Sequence, residues 1–198
     1  MARPRTFDEE HALDAAMHTF WEKGYDATST EDLCAATGLG RSSLYNTFGS
    51  KHDLFTRALA RYIDARTSAQ LEVLTDEERS ALERMRTVFA MVIDGEFAER
   101  RGGRSLGCLV VNSTIELAWR DREVARMLDR DRARRLSGLA TALEAGQRNA
   151  EVTASTAADE LARFVDTVIG GMRVTAQGGA DRATLESIAA TALHALSP

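Results

Sequence analysis

Two short helical segments joined by a glycine turn, between Thr28 and Lys51, constrain the fold of this chain more than any other feature. Ser29 and Asp32 form a capping-box pattern, in which the serine hydroxyl accepts a bond from a first-turn N–H and the carboxylate bonds back to the cap. Gly38 permits the positive φ that ends a helix. We therefore predict a first helix of about two turns and a second from Arg41 to Phe48.

The second of these helices has two contrasting faces. At about 100° per residue, Leu44 and Phe48 point to one side, and small polar and aromatic side chains cover the opposite arc. This arrangement is typical of a helix-turn-helix with its recognition helix, so we predict binding to double-stranded DNA. The candidate DNA contacts are Thr30, Arg41, Ser42, Ser43, Tyr45, Asn46, Thr47 and Lys51.

Several short motifs in this region belong to a known pattern: FWEKGY at 20–25, Thr28-Ser29, AATGL at 35–39, SLYNTF at 43–48, and Ser50-Lys51 followed by Leu54-Phe55. Through them the segment 7–55 resembles the N-terminal domain of the TetR family of transcriptional regulators. Two positions depart from the family pattern. Gly40 stands where the family usually has Ser or Thr, a better helix cap, and Asn46-Thr47 stands where many members have x-His. The operator preference of a better-known member therefore does not transfer.

The composition favours an all-α fold, because prolines number only two and Ala, Leu, Glu and Arg are plentiful. We predict an N-terminal three-helix helix-turn-helix DNA-binding domain over residues 1–51 and a C-terminal helical effector-binding and dimerisation domain over 52–198. The first helix, within Phe7–Lys23, has an apolar stripe that packs on the helix-turn-helix. The resemblance implies that a helix from about Asp53 to Thr67 links the two domains.

Net charge limits the kind of DNA binding that is expected. The whole chain carries −5, and residues 1–51 hold five Lys/Arg against eight Asp/Glu, whereas a non-specific DNA coater would be basic. Most of these acidic residues lie on the first helix and at the start of the second. Arg3, Arg5, Arg41 and Lys51 lie near the expected phosphates. Residues 1–6 are either a frayed terminus or a basic arm that touches DNA.

The rest of the chain divides into further helical segments. Thr75 with Glu78 forms a second capping-box pattern, predicted to open a helix that ends near Phe97. A polar glycine-bearing loop follows over Glu99–Gly107. Later helices are predicted over Cys108–Trp119, over Asp121–Ala145 with Gly146 as its end, over Ala158–Gln177 and over Arg182–Leu196.

The segment from Cys108 to Trp119 is apolar almost all round, which predicts a buried helix. Asn112 and Glu116 within it need polar partners. Those partners are either neighbouring helices or a ligand in a cavity. The candidate effector-binding residues are Phe89, Cys108, Asn112, Glu116, Trp119 and Phe164.

The last two helices carry broad apolar faces that either cover the chain's own core or pair with a second copy. The resemblance implies that this helix pair makes a four-helix interface in a homodimer. The candidate interface residues are Leu161, Val165, Val168, Met172, Ile188, Ala192 and Leu193.

These observations together predict a cytoplasmic, ligand-responsive repressor that binds a near-palindromic operator as a homodimer and is released by a small-molecule effector. No apolar run reaches the length of a membrane span, and no catalytic, metal or cofactor motif is recognisable. A helical enzyme is the rival class. A third alternative is a redox- or electrophile-sensing regulator that uses Cys108 at a helix start, where the dipole lowers a thiol pKa; the competing interpretation is a small buried hydrophobe.

Overall fold

The computed structural model describes residues 8–98, 100–101 and 104–198, and confirms the all-α fold. Arg3 and Arg5 of the predicted basic arm lie outside the described residues. Among the described residues, Arg100–Arg101 and Arg104–Ser105 form an antiparallel pair of two-residue strands. The elements are α1 Glu9–Lys23, α2 Thr30–Thr37, α3 Arg41–Phe48, α4 Lys51–Leu74, α5 Ala81–Ala98, β1 Arg100–Arg101, β2 Arg104–Ser105, α6 Leu109–Glu116, α7 Arg122–Arg148, α8 Ala158–Gln177 and α9 Arg182–Leu196.

Local signals set the bounds of α2 and α3. The Asp32 N–H donates to the Ser29 hydroxyl, and the Ser29 N–H donates to the Asp32 carboxylate at 2.9 Å. Gly38 has a φ of 69°, in the left-handed region. The predicted capping box and glycine turn are therefore confirmed. Gly40 caps α3 without a side-chain hydrogen bond, as expected for glycine at that position.

Two hydrophobic clusters make up the core of the described part of the chain. The first joins α1, α2 and α3, which we call the head, to the first half of α4 and to residues between Cys108 and Leu128. The second joins the end of α4 to α5, α7, α8 and α9. Helix α4 is thus shared, because Leu54 to Ile63 pack in the first cluster and Leu74 packs in the second. The boundary after residue 51 stays a prediction.

The start of α5 differs from the prediction. Helix α4 begins at Lys51 rather than Asp53 and continues past Thr67 to Leu74, so Thr75 becomes its C-terminal cap and donates to the Leu71 carbonyl. The box that opens α5 is formed instead by Ser80 and Glu83, whose backbone N–H groups each bond to the other's side chain. Both sequence patterns fit a capping box, and the length of α4 decides between them.

Gly146 does not end a helix, contrary to prediction, because α7 continues through it to Arg148. A Cβ at this position would lie 2.5 Å from the Ala81 Cβ and 2.6 Å from the Val152 Cγ2. The absence of a side chain therefore serves the close approach of α7 to neighbouring segments.

Helix α6 is shorter and more exposed than predicted. It covers Leu109–Glu116, with Cys108 as its N-cap. Ile115 is 70% exposed and Trp119, just beyond the helix, is 79% exposed. The prediction of a helix buried on nearly every side is wrong, because the side of α6 that carries Thr114 and Ile115 is exposed to solvent. Helices α8 and α9 have the predicted bounds. Among the described helices, none is long and apolar enough to cross a membrane.

Candidate nucleic-acid interface

Helix α3 presents a polar surface to solvent on an apolar anchor. Leu44 and Phe48 are buried in the first cluster, as predicted. The guanidinium of Arg57 lies 4.8 Å from the centre of the Phe48 ring and covers the end of this anchor. The exposed side of α3, which we call the recognition face, is formed by Arg41, Ser42, Ser43 and Asn46. Its side chains offer a guanidinium, two hydroxyls and an amide, which are the groups that bind phosphates and base edges.

Two of the predicted contacts are hydrogen-bonded to one another. The hydroxyls of Thr30 in α2 and Tyr45 in α3 lie 2.7 Å apart, and both residues are half-buried. The two hydroxyls hold two hydrogens and use one between them, so one O–H remains as a donor for a phosphate oxygen. This bond also fixes α3 against α2. Thr47, the remaining α3 candidate, is half-buried.

Lys51 lies at the first position of α4, immediately after the Ser50 cap. Its ammonium sits 4.6 Å from the centre of the Tyr25 ring, which places the cation over the face of the aromatic ring. The N-terminus of α4 adds the positive end of a helix dipole, which favours phosphate. Lys51 and the recognition face are separated in sequence only by the end of α3 and its turn.

Three acidic residues of α1 are paired with cations of α4. Glu9, Glu10 and Asp14 of α1 form ion pairs with Arg57 and Arg61 of α4. These pairs offset part of the negative charge that argued against DNA binding in the sequence.

Asp32, at the start of α2, bonds to Lys23 at 2.5 Å. This bond, together with those from Ser29, lowers the pKa of the Asp32 carboxyl below its usual range. The carboxylate is therefore held within the capping box and its ion pair.

Comparison with known proteins identifies the family. Residues 12–58 match the family described as bacterial regulatory proteins, tetR family, and residues 81–192 match the tetracyclin repressor-like C-terminal domain. The chain belongs to the TetR family. It is a transcriptional regulator with the helix-turn-helix head of that family.

Named relatives of the TetR family extend over almost the whole chain. The transcriptional repressor ComR of Escherichia coli is 34% identical over 192 residues, which cover 97% of this chain and 90% of ComR. The regulator YezE of Bacillus subtilis is 35% identical over 171 residues, 84% of each chain. A cysteine-substituted form of the regulator CifR, solved with 26-base-pair operator DNA, has a TM-score of 0.85 and 30% identity, covering 98% of this chain and all of CifR's.

The candidate effector residues do not gather in one place. Phe89 is buried in the second cluster and Cys108 in the first. Trp119 points into solvent, with the Arg120 guanidinium 5.6 Å from its ring centre, and Phe164 is 40% exposed on α8. The structure therefore does not support one binding site formed by these six residues. Apolar character alone could not tell a cavity wall from a core or a surface residue.

The polar residues of α6 have partners within the chain, in connecting segments rather than in the neighbouring helices that were predicted. The Asn112 amide donates to the Leu106 carbonyl at 3.1 Å. The Glu116 carboxylate accepts from the backbone N–H groups of Tyr25 and Asp26, at 3.0 and 2.8 Å. Glu116 therefore ties α6 to the turn between α1 and α2.

Two further contacts join the head region to the α6–α7 corner. Arg120 pairs with Asp26, and His52 at the start of α4 bonds to the Asp121 carboxylate at 2.7 Å. Sequence patterns gave no signal for these bonds, because the partners are far apart along the chain.

Cys108 is buried beside a tyrosine and an arginine. The Tyr62 hydroxyl lies 3.6 Å from its sulfur, and the Arg173 guanidinium of α8 donates to the same sulfur. Burial raises the pKa of Tyr62 above its ordinary range. The burial agrees with the core interpretation of this residue. The thiol-sensing alternative stays a prediction.

The candidate interface residues divide into two groups. Leu161, Val165, Met172 and Ala192 are buried in the chain's own second cluster, so they offer no surface to a partner. Val168, Ile188 and Leu193 are partly buried against the same cluster. The prediction is corrected for the first four, because the broad apolar faces of α8 and α9 are used mainly within the chain.

Proposed function

We propose that this TetR-family regulator is a repressor that binds a near-palindromic DNA operator as a homodimer and leaves it when a small effector binds. It acts without catalysis and in the cytoplasm, where its DNA target lies. The observation that supports DNA recognition is the recognition face of α3, four polar side chains exposed on a helix whose other side is anchored in the core. ComR and BdcR of Escherichia coli, both relatives of this chain, are named transcriptional repressors.

The division of labour at the DNA follows from side-chain chemistry. Asn46 is exposed and can pair bidentately with adenine N6 and N7, a contact that provides about 1–3 kcal/mol of discrimination. Lys51 and the hydroxyl pair of Thr30 and Tyr45 suit phosphates, which fix position rather than sequence.

The primary experiment is selection of bound duplexes from a random pool by the purified protein. We expect an enriched inverted repeat whose half-sites are about one helical turn apart, about 34–36 Å, because two recognition helices related by a two-fold axis enter successive major grooves. Recovery of unrelated sequences, or of a single half-site only, would contradict the proposal.

Two variants then separate base contacts from phosphate contacts. Asn46→Ala should relax preference at one base position per half-site. Lys51→Ala should weaken binding to operator and scrambled duplexes about equally. It should also reduce the slope of log K against log salt concentration by about one. Glu72→Ala, an exposed residue of α4, is the matched control and should change neither. If Asn46→Ala weakens binding to both duplexes by the same factor, Asn46 contacts the DNA backbone. The base contact must then be made by Ser42 or Ser43.

The dimer is proposed to form through the outer sides of α8 and α9. On α8 these include the exposed Phe164 and Val174, and Gly170 and Gly171, where a Cβ would lie within 4 Å of no other described segment of the chain. Several exposed residues of α9 are small, among them Ala183, Ser187, Ala190 and Thr191. Small residues permit close approach of two helix pairs in a two-fold interface.

Effector binding weakens DNA affinity only if it favours a conformer whose two heads are wrongly spaced. Helix α4 is the proposed route, because its N-terminus carries Lys51 beside the recognition face and its apolar residues pack in both core clusters.

A further inference from the structure

A small cavity lies between the head and the C-terminal helices. Its volume is about 190 Å³, and α1, α4, α5 and α8 all contribute to its wall. Cavities for drug-sized ligands are larger, about 300–1,000 Å³, so an occupant of this one is small. The lining residues used in the argument are Trp21, Tyr62, Arg66, Gly95, Glu96 and Arg173.

The charged groups in the lining are two guanidinium groups and one carboxylate. Arg66 and Arg173 bring the positive charges and Glu96 the negative one. Glu96 is buried and accepts the Ser105 hydroxyl at 2.6 Å, and burial raises its pKa. The wall therefore carries a net positive charge whether Glu96 is ionised or protonated. A monoanion complements this charge.

Arg173 has hydrogen-bonding capacity left over. One terminal nitrogen donates to the Cys108 sulfur, but the Nε of Arg173 is buried and has no partner within the part of the chain that the structure describes. An unsatisfied buried donor destabilises the site. Arg173 as a whole is half-buried and lines the cavity, so a carboxylate placed there would form a charge-assisted bond with its guanidinium.

The rest of the wall is apolar and aromatic. The rings of Trp21 and Tyr62 meet edge to face, with centres 4.9 Å apart. The Arg66 guanidinium lies 5.8 Å from the first ring centre and 5.5 Å from the second. Met91 and Val92 of α5 add aliphatic surface. Such a wall suits the hydrocarbon part of a ligand, and aryl groups in particular.

We propose that this cavity is the effector site and that it binds a small carboxylate, with the anion at Arg173 and an aryl or short alkyl group against Trp21 and Tyr62. The proposal rests on the proposed function as a ligand-released repressor. It replaces the six candidate effector residues predicted from the sequence.

The position of the cavity provides a route to the DNA. Trp21 belongs to α1 of the head and Tyr62 to α4, and both pack in the first core cluster. The Trp21 indole N–H donates to the Gly107 carbonyl at 3.0 Å, which ties α1 to the segment before α6. A ligand seated between these rings and α5 favours one spacing of α1 against α5. The ligand then binds more tightly to the conformer that has this spacing, and such a difference in ligand affinity between two conformers is what release from DNA requires.

The test uses the full-length protein and two pairs of probes, benzoate with benzamide and butyrate with butyramide. Isothermal titration should show saturable binding of the carboxylates and at least about tenfold weaker binding of the neutral amides, which have nearly the same shape but no charge. Arg173→Met should weaken benzoate binding about tenfold or more. Arg126→Met removes an exposed guanidinium from α7, and as the matched control it should leave the affinity unchanged.

Gly95→Ala is a second variant, chosen so that the fold is retained. Alanine is a better helix former than glycine, but the added Cβ would lie 3.0 Å from a terminal nitrogen of Arg66. The methyl group narrows the cavity and displaces the guanidinium, so benzoate binding should weaken although thermal stability does not fall.

Operator binding is measured separately, on a duplex from the selection experiment. Carboxylate binding that lowers operator affinity in the unmodified protein, but not in Arg173→Met, supports the proposal. If the protein selects an operator but binds no carboxylate, or binds the amides equally well, the effector site is wrong and the repressor function stands. If no duplex is selected, the proposed function fails whatever the titrations show.

Discussion

Replacing Glu116 should loosen the contact between α6 and the head. Its carboxylate accepts the Tyr25 N–H at 3.0 Å and the Asp26 N–H at 2.8 Å. A hydrogen bond to a charged acceptor contributes about 1.5–3 kcal/mol. Asp26 is exposed, so water replaces the carboxylate there, whereas the Tyr25 N–H is partly buried and stays unsatisfied. We therefore expect Glu116→Ala to reduce the free energy of unfolding by about 2 kcal/mol.

For a chain of this length, each kcal/mol corresponds to about 2–4 °C in Tm, so the expected fall is about 4–8 °C. Differential scanning calorimetry measures it. Glu116→Gln keeps one carbonyl acceptor and should lose about half as much. Glu72→Ala, on the exposed side of α4, is the control and should stay within about 0.5 kcal/mol of the unmodified protein.

Amide hydrogen exchange locates the effect. The Tyr25 amide should be protected in the unmodified protein and exchange faster in Glu116→Ala, because the acceptor that covers it is gone. If Glu116→Ala melts at the same temperature as Glu72→Ala and the Tyr25 amide exchanges at its original rate, the two bonds contribute nothing and this account of α6 is refuted.

Three further outcomes are expected. Val174→Asp, at a position half exposed in the isolated chain, should yield monomers in sedimentation because a dimer through α8 would bury its charge. The control Ala133→Asp, on an exposed part of α7, should remain dimeric. Equal sedimentation of the two variants would contradict an α8 interface. Gly38→Ala should reduce stability by about 1–2 kcal/mol in urea unfolding, because alanine is strained at the observed φ of 69°; an unchanged midpoint would count against that reasoning. On the thiol-sensing alternative, peroxide should release operator DNA from the unmodified protein but not from Cys108→Ser, and equal release from both would reject it.

The sequence by itself determined the elements whose signals are local. The Ser29–Asp32 box and Gly38 lie within a few residues of the helix end that each one sets, and both were found as predicted. The bounds of α3, α8 and α9 were also correct, because apolar periodicity and flanking glycines or caps act over one or two turns. The split of α3 into a buried and an exposed side followed from the same periodicity.

Only the tertiary structure decided features that depend on distant partners. Thr75 and Ser80 both fit a capping box, and the continuation of α4 to Leu74 selected the second. Gly146 resembles a helix end in sequence, but packing of Ala81 and Val152 against it explains the glycine.

The site residues show the same limit. Glu116 lies about 90 residues from the backbone groups it binds, and the cavity brings Trp21 of α1 together with Arg173 of α8. Periodicity tells which side of a helix is apolar, but not whether that side meets another helix, a cavity or a second chain. That choice depends on how the helices pack, which no local pattern encodes.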